Sequence, residues 1–227
     1  MRLLVLIPAF NVEKTIPGVV REVRRAAPEA GLLVVDDGST DRTASAAGEE
    51  GARVLSHETN LGKGTALRSG FEVAIREGYE AVVTIDGDGQ HPPEWIPRFV
   101  RRAEETDADL VVGSRRADHA RMPQLRRLSN RLSTWLASRA AGGPLPDSQS
   151  GYRLVRTEVL RAVPLRTTHY ETETELLIGA ARRGFRIESI PIPAIYANET
   201  SHISVWRDTG RFLKLLAAVR RRDDWKS

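Results

Sequence analysis

Apolar residues along the chain come in short unbroken runs set between longer polar stretches with helical spacing. Leu3 to Ile7, Leu32 to Val35, Arg53 to Leu55, Val82 to Ile85 and Asp109 to Val112 read as strands. Continuous apolar runs of this length are what a strand covered on both faces requires. Between them, Thr15 to Ala27 reads as a helix, with Ile16, Val19, Val20 and Val23 on one side. A second helix runs to about Glu50, with Ser39 or Thr40 placed to cap it. A third passes through Ala66, Leu67, Phe71 and Ile75, and a fourth spans Glu94 to Thr106. This alternation predicts an α/β fold, a doubly wound and mostly parallel sheet flanked by helices.

The second half is less regular. Pro123 to Ala140 reads as a long basic helix stopped by Gly142-Gly143-Pro144, and Gln149 to Val155 returns to the sheet. Glu171 to Arg183 is helical, and Ile187 to Tyr196, broken by Pro191 and Pro193, reads as an edge strand. The tail, about residues 207–222, is a basic amphipathic helix with Phe212, Leu215, Leu216 and Val219 on one face. Such a helix either docks on its own domain or lies on an anionic membrane surface. With no internal repeat or low-complexity linker, residues 1–227 read as a single domain ending in that helix.

Composition narrows the function classes. Hydrophobic residues make up 41% of the chain, enough for a full core. There is no cysteine, which excludes disulfides, thiolate zinc sites and a cysteine nucleophile and suits a reducing compartment. The first apolar run is too short for a signal peptide, and no window approaches a membrane span. A cytoplasmic protein, with peripheral contact on the inner face of the membrane, is the expectation.

Candidate chemistry collects around Val82 to Glu94, VVTIDGDGQHPPE. A strand runs directly into Asp86-Gly87-Asp88, projecting two carboxylates into the crevice where open α/β sheets bind ligands. Gly87 and Gly89 leave room for a large ligand to approach the backbone. Hard oxygen ligands suit Mg²⁺ or Mn²⁺, which take one or two carboxylates and complete their shell with substrate phosphates. Asp36 and Asp37, ending the second strand, can accept hydrogen bonds from a ribose or base, or one of them can cap the next helix. The loop Gly62-Lys63-Gly64-Thr65 lacks the first glycine and the Ser/Thr of a phosphate-binding P-loop; Lys63 can still contact a phosphate. No dinucleotide fingerprint follows the first strand, and the histidines show no metal-ligand spacing. Six arginines and one acid lie between Arg115 and Arg131. That density is either a solvated helix face or a second phosphate site. Aromatic residues are too sparse there for nucleic acid.

Taken together, the strings IPAFN, VVDDGSTD, NLGKGTALRSGF, TIDGDGQHPPE, VVGSRR, DSQSGYR, ETELL and IYANETSHISVWRDTGRFLKLL closely resemble the family 2 inverting glycosyltransferases. The nearest branch is the polyprenyl-phosphate (dolichol-phosphate) mannosyl- and glucosyltransferases. The resemblance implies a GT-A fold, a nucleotide-diphosphate sugar donor of the GDP-mannose or UDP-glucose type, and a polyprenyl-phosphate acceptor. It implies that Pro8, Phe10, Val35 and Asp37 surround the nucleoside. Asp86, Asp88 and Gln90 hold the metal and the donor diphosphate. Arg115, the arginine-serine helix with Arg126, Arg127, Ser129 and Arg131, and His202 face the acceptor phosphate and the donor. The chain departs from the family at Val12, where a glutamate is usual; Glu13 remains as the donor contact.

Mechanism turns on the acceptor. A lipid monophosphate is already anionic and needs no general base, whereas an alcohol requires one, with Asp147 and Glu173 the candidates. A glycosyltransferase acting on a hydroxyl is the main rival reading. A sugar nucleotidyltransferase would need a glycine-rich loop near residue 10, and a non-catalytic sugar-nucleotide-binding protein would be expected to lose the metal acids.

Overall fold

The computed structural model describes residues 1–114, 124–148, 150–193 and 205–219, with the side chains of 124–131, 205–209 and 213 left undescribed. The predicted strands are present as β1 (Leu3–Ala9), β2 (Gly31–Asp36), β3 (Arg53–Ser56), β4 (Ala81–Thr84) and β5 (Leu110–Ser114). Later in the chain come β6 (Arg153–Arg156) and β7 (Ile187–Pro191). They form one seven-stranded sheet in the order β3-β2-β1-β4-β6-β5-β7. β6 runs antiparallel to both of its neighbours, and the other pairs are parallel. β7 lies at an edge, where its terminal proline breaks no internal ladder.

The helices are α1 (Ile16–Ala26), α2 (Thr43–Glu49), α3 (Lys63–Arg76), α4 (Ile96–Thr106), α5 (Gln124–Ala141), α6 (Thr157–Ala162), α7 (Glu171–Arg182) and α8 (Val205–Val219). Two differ from expectation. The fourth predicted helix starts as a separate one-turn 3₁₀ segment, Pro93–Trp95, because Pro97 can open a helix at Ile96 but cannot continue one from before it. The six-residue α6 is missed, being too short to show a helical period.

Alternation along the strands divides the core into two layers. Leu4, Leu6, Leu33 and Val35 pack with Leu67, Phe71, Leu176, Leu177, Leu215 and Val219 on one face. Val5, Ile7, Leu32 and Val34 pack with Ile16, Val19, Val20, Val23, Ile96 and Phe99 on the other. Both faces are therefore buried, which is why β1, β2, β4 and β5 are apolar at nearly every position rather than at alternate ones.

The tail helix docks on its own domain. Leu215 and Val219 are buried, Leu216 packs partly against them, and Arg182 on α7 donates to the Val219 carbonyl at 2.7 Å. The stripe that could have faced lipid is thus spent largely on the core. Among the described residues no helix is long and apolar enough to cross a membrane.

Close packing also joins α3 to the segment before α7. A Cβ on Gly64 would stand 1.9 Å from Thr172 Oγ1 and 2.6 Å from the Thr168 carbonyl carbon, whereas one on Gly48 in α2 meets nothing within 4 Å. Gly64→Ala should lower stability by about 1–3 kcal/mol through overpacking. Gly48→Ala should raise it by roughly 0.5–1 kcal/mol through helix propensity. Urea unfolding midpoints of the two variants should move in opposite directions.

Candidate functional site

The sheet order brings four chain segments to one rim. β1, β2 and β4 end there in parallel, and antiparallel β6 begins there, with Thr84 opposite Arg153 in the register. The loop after β4 and the residues just before β6 therefore face each other. Thr84 ties them directly, its hydroxyl donating to the Gly151 carbonyl at 2.7 Å.

At that point Lys63, the first residue of α3, sits between two carboxylates. Its Nζ lies 2.6 Å from Asp86 Oδ1 and 3.0 Å from Glu173 Oε1 of α7. Burial opposes the charged form of Lys63, but the charges of Asp86 and Glu173 outweigh it and raise the ammonium's pKa. Burial likewise opposes ionisation of Asp86, yet Lys63, followed by His91 with Nε2 at 3.6 Å, holds its carboxyl well below the usual carboxylate range. Gly151 makes the arrangement sterically feasible. A Cβ there would stand 2.8–2.9 Å from Asp86 Oδ2, Glu173 Oε1 and Lys63 Nζ.

Asp88 behaves oppositely. Burial, and then the charge of Asp86, push its pKa up, against the backbone N–H of Gln90 that donates to Oδ1 at 2.9 Å. Among the described residues no three His, Cys, Asp or Glu side chains converge as a self-sufficient metal cage. Among the described residues, Lys63 pairs with Asp86 and Glu173, while Asp88 stands beside Asp86 without an ammonium of its own within ion-pair distance. Two carboxylates in mutual repulsion suit a hard divalent cation whose remaining ligands are water and substrate phosphate.

The second acidic turn is occupied by the protein itself. Asp37 accepts from the backbone N–H groups of Leu61 and Gly62 at 3.0 and 2.7 Å, and pairs with His57 Nδ1 at 2.7 Å. It clasps the glycine loop whose end carries Lys63. Gly62 adopts φ +95°, and a Cβ there would stand 2.5 Å from the Thr168 carbonyl oxygen. The expectation that Ser39, Thr40 or one of the paired aspartates caps α2 is corrected. Asp41 accepts from the Thr43 N–H at 2.9 Å and Glu13 from the Arg42 N–H at 3.0 Å, which occupies two of the backbone donors at that helix start. Glu13 thus has an intramolecular partner.

Of the other predicted donor residues, Pro8 is buried in β1 opposite Val35, and the Val35 side chain is wholly inside the core. Phe10 is exposed at the end of β1. A Cβ on Gly87 would lie 3.3–3.5 Å from Val12 Cγ2, Ile16 Cδ1 and Ile7 Cγ2, so this glycine sits against the apolar start of α1. Val12, the departure from the family pattern, is part of that apolar contact. Asp147 is buried in the turn before β6. Arg115 and His202 lie outside the described residues. Arg126, Arg127, Ser129 and Arg131 fall on α5, with side chains outside the described part.

Several residues at the site escaped the sequence reading. Arg153 is buried and donates to the carbonyls of Ser150 (2.7 Å), Ser148 (3.0 Å) and Glu173, fixing the strand start against α7. Tyr152 packs on His91 and Phe99 and donates to the Pro92 carbonyl at 3.2 Å. Tyr170 lies exposed beside Lys63, whose Nζ is 5.8 Å from the ring centroid. For Tyr152 and Arg153 the signal was the string SGYR, which names them without their partners; Tyr170 lies outside that string.

Comparison with known proteins places the family and the fold. Residues 4–163 match the family described as Glycosyl transferase family 2. An undecaprenyl-phosphate mannosyltransferase of Micrococcus luteus is 34% identical over 203 residues, covering 85% of this chain and 83% of that protein. A polyprenol monophosphomannose synthase of Mycolicibacterium smegmatis is 32% identical over 203 residues, covering 84% of this chain and 76% of that protein. Among solved structures, glucosyl-3-phosphoglycerate synthase of Mycobacterium tuberculosis, in complex with Mn²⁺, uridine diphosphate and phosphoglyceric acid, is similar with a TM-score of 0.73. That likeness is at 25% identity and covers 96% of this chain and 77% of that one. The fold is the GT-A fold of glycosyltransferases, and this chain belongs to glycosyltransferase family 2.

Proposed function

We propose that the protein transfers a hexose, with inversion, from a nucleotide-diphosphate sugar of the GDP-mannose or UDP-glucose type to a polyprenyl monophosphate. The names of the M. luteus and M. smegmatis relatives support a lipid-phosphate acceptor. The observation that carries the choice is the state of Glu173. Its carboxylate is buried and engaged at 3.0 Å with the Lys63 ammonium, so an acceptor hydroxyl would have to displace that ion pair to reach it. A phosphate oxygen needs no proton removed before it attacks. Asp147, the other candidate base, is buried.

In this reading the donor lies over the rim, with its diphosphate toward Asp86, Asp88 and Lys63. Phe10 and Asp37 border the nucleoside end, and Gln90 stands beside the metal acids. Mg²⁺ or Mn²⁺ held by Asp86 and Asp88 would neutralise charge on the departing nucleoside diphosphate. Lys63 keeps Asp86 ionised and adds a fixed positive charge beside the leaving group. The acceptor's anionic oxygen attacks the anomeric carbon from the opposite face, and the bond to the diphosphate breaks with its electron pair. Arg115, Arg126, Arg127, Ser129, Arg131 and His202 are the groups proposed to receive the acceptor phosphate and orient the donor. Positioning and charge stabilisation thus replace proton transfer.

Metal dependence follows. EDTA should abolish transfer and Mg²⁺ or Mn²⁺ restore it, and Asp88→Ala should lower kcat/KM on the order of 10²-fold or more. Full activity of Asp88→Ala in metal-free buffer would refute the arrangement.

The acceptor class is read by a second comparison. Transfer to a polyprenyl monophosphate should exceed transfer to the corresponding neutral alcohol by at least about 10²-fold. Glu173→Gln should be milder than Asp88→Ala. Equal use of the alcohol, with Glu173→Gln as damaging as Asp88→Ala, would place the protein among the hydroxyl-transferring enzymes instead.

A further inference from the structure

α5 has two differently used sides. Its inner side is tied to the domain: Thr134 and Ala137 are buried, and Thr134 Oγ1 lies 3.2 Å from Ser148 Oγ. The Ala140 carbonyl accepts from Arg182 on α7 at 2.8 Å. The outer side carries Leu132, Trp135, Leu136 and Arg139, the i, i+3, i+4, i+7 set of one helical stripe. Leu132 and Trp135 are 54% and 53% exposed, the two largest exposures among the described large hydrophobic residues. The Arg139 guanidinium sits over the Trp135 ring, 5.2 Å from its centroid.

A tryptophan left in water beside a leucine, and topped by an arginine, is poorly suited to plain solvent and well suited to a lipid headgroup boundary. There the indole is half apolar and half hydrated, and the cation meets phosphate. Charge points the same way. From Gln124 to Ala141 the helix has four arginines (126, 127, 131 and 139) and no aspartate or glutamate. An anionic bilayer complements such an element.

We infer that the outer stripe of α5, with Leu132, Trp135 and Arg139, is the surface that seats this protein on an anionic membrane. The role expected of the tail helix thereby moves to α5, since α8 has turned Leu215 and Val219 into the core. For its purpose the surface rests on the lipid-phosphate reading: the helix that continues the arginine-rich segment would touch the layer from which the acceptor's headgroup emerges. Its existence is measured without substrate.

Flotation of the full chain with phosphatidylglycerol vesicles and with phosphatidylcholine vesicles, at low and high salt, tests it. The wild type should float with the anionic vesicles at low salt and lose binding as salt rises. Leu132→Ser with Trp135→Ser should weaken partitioning on the order of tenfold or more. Arg139→Gln should weaken it about fivefold. All three positions are exposed, and unchanged circular dichroism and unfolding midpoint would show that the fold is intact. Flotation of the double variant equal to the wild type, or no flotation of the wild type with either vesicle, overturns the assignment. So does a wild-type dimer that the double variant dissolves while neither protein binds vesicles, which would give the face to a second copy. Transfer to a short-chain, water-soluble polyprenyl phosphate without vesicles should be unchanged in the double variant. A wild type that floats but uses no lipid phosphate would overturn the acceptor reading and leave the surface standing.

Discussion

The ammonium of Lys63, held between Asp86 and Glu173, is the contact on which the site's arrangement depends. It joins the first residue of α3, the loop after β4 and the first turn of α7, three elements distant in sequence. A charge removed from water is costly unless it is paired and hydrogen-bonded, so these elements are held to one geometry. Its surroundings are built to permit it. Gly151 withholds a side chain from the point where the three groups meet, and Gly62 and Gly64 let α3 start against the loop before α7. Asp37, paired with His57, holds the glycine loop at the start of α3 through the Leu61 and Gly62 N–H groups.

The antiparallel strand β6 supplies the rest. In a sheet made only of parallel strands, the segment preceding a strand lies at the rim opposite the ligand crevice. Because β6 is reversed, Ser150 and Gly151 arrive at the same rim as Asp86, and Arg153 can bind the carbonyl of Glu173 behind the site. Asp88 is left beside Asp86 at the crevice, its carboxyl pushed up by burial and by that neighbour, and these two are the acids proposed to hold the divalent cation.

The helices show how one composition can serve opposite ends. α8 and α5 are both basic and both carry large apolar residues. In α8, Leu215 and Val219 meet α5, α7 and the core and are buried; in α5, Leu132 and Trp135 point outward, with Thr134 and Ala137 taking the inner contacts. Periodicity announces an amphipathic helix in each case but not which neighbour its stripe will meet.

What the sequence determined by itself was the layer architecture and the location of the acids. Unbroken apolar runs require burial on both faces, alternation with helices requires a mostly parallel sheet, and a carboxylate pair at a strand end must fall in the crevice. These follow from local chemistry and from chain order. The pairing of Lys63 with Glu173 and Asp86 was decided only by the tertiary structure, as were the space left by Gly151, the buried grip of Arg153 and the hydrogen bond from the start of α2 to Glu13. Each joins residues far apart in the chain, brought together by strand order and the direction of β6. Spacing along the chain carries no record of such contacts, because they depend on which strands become neighbours and which way they run.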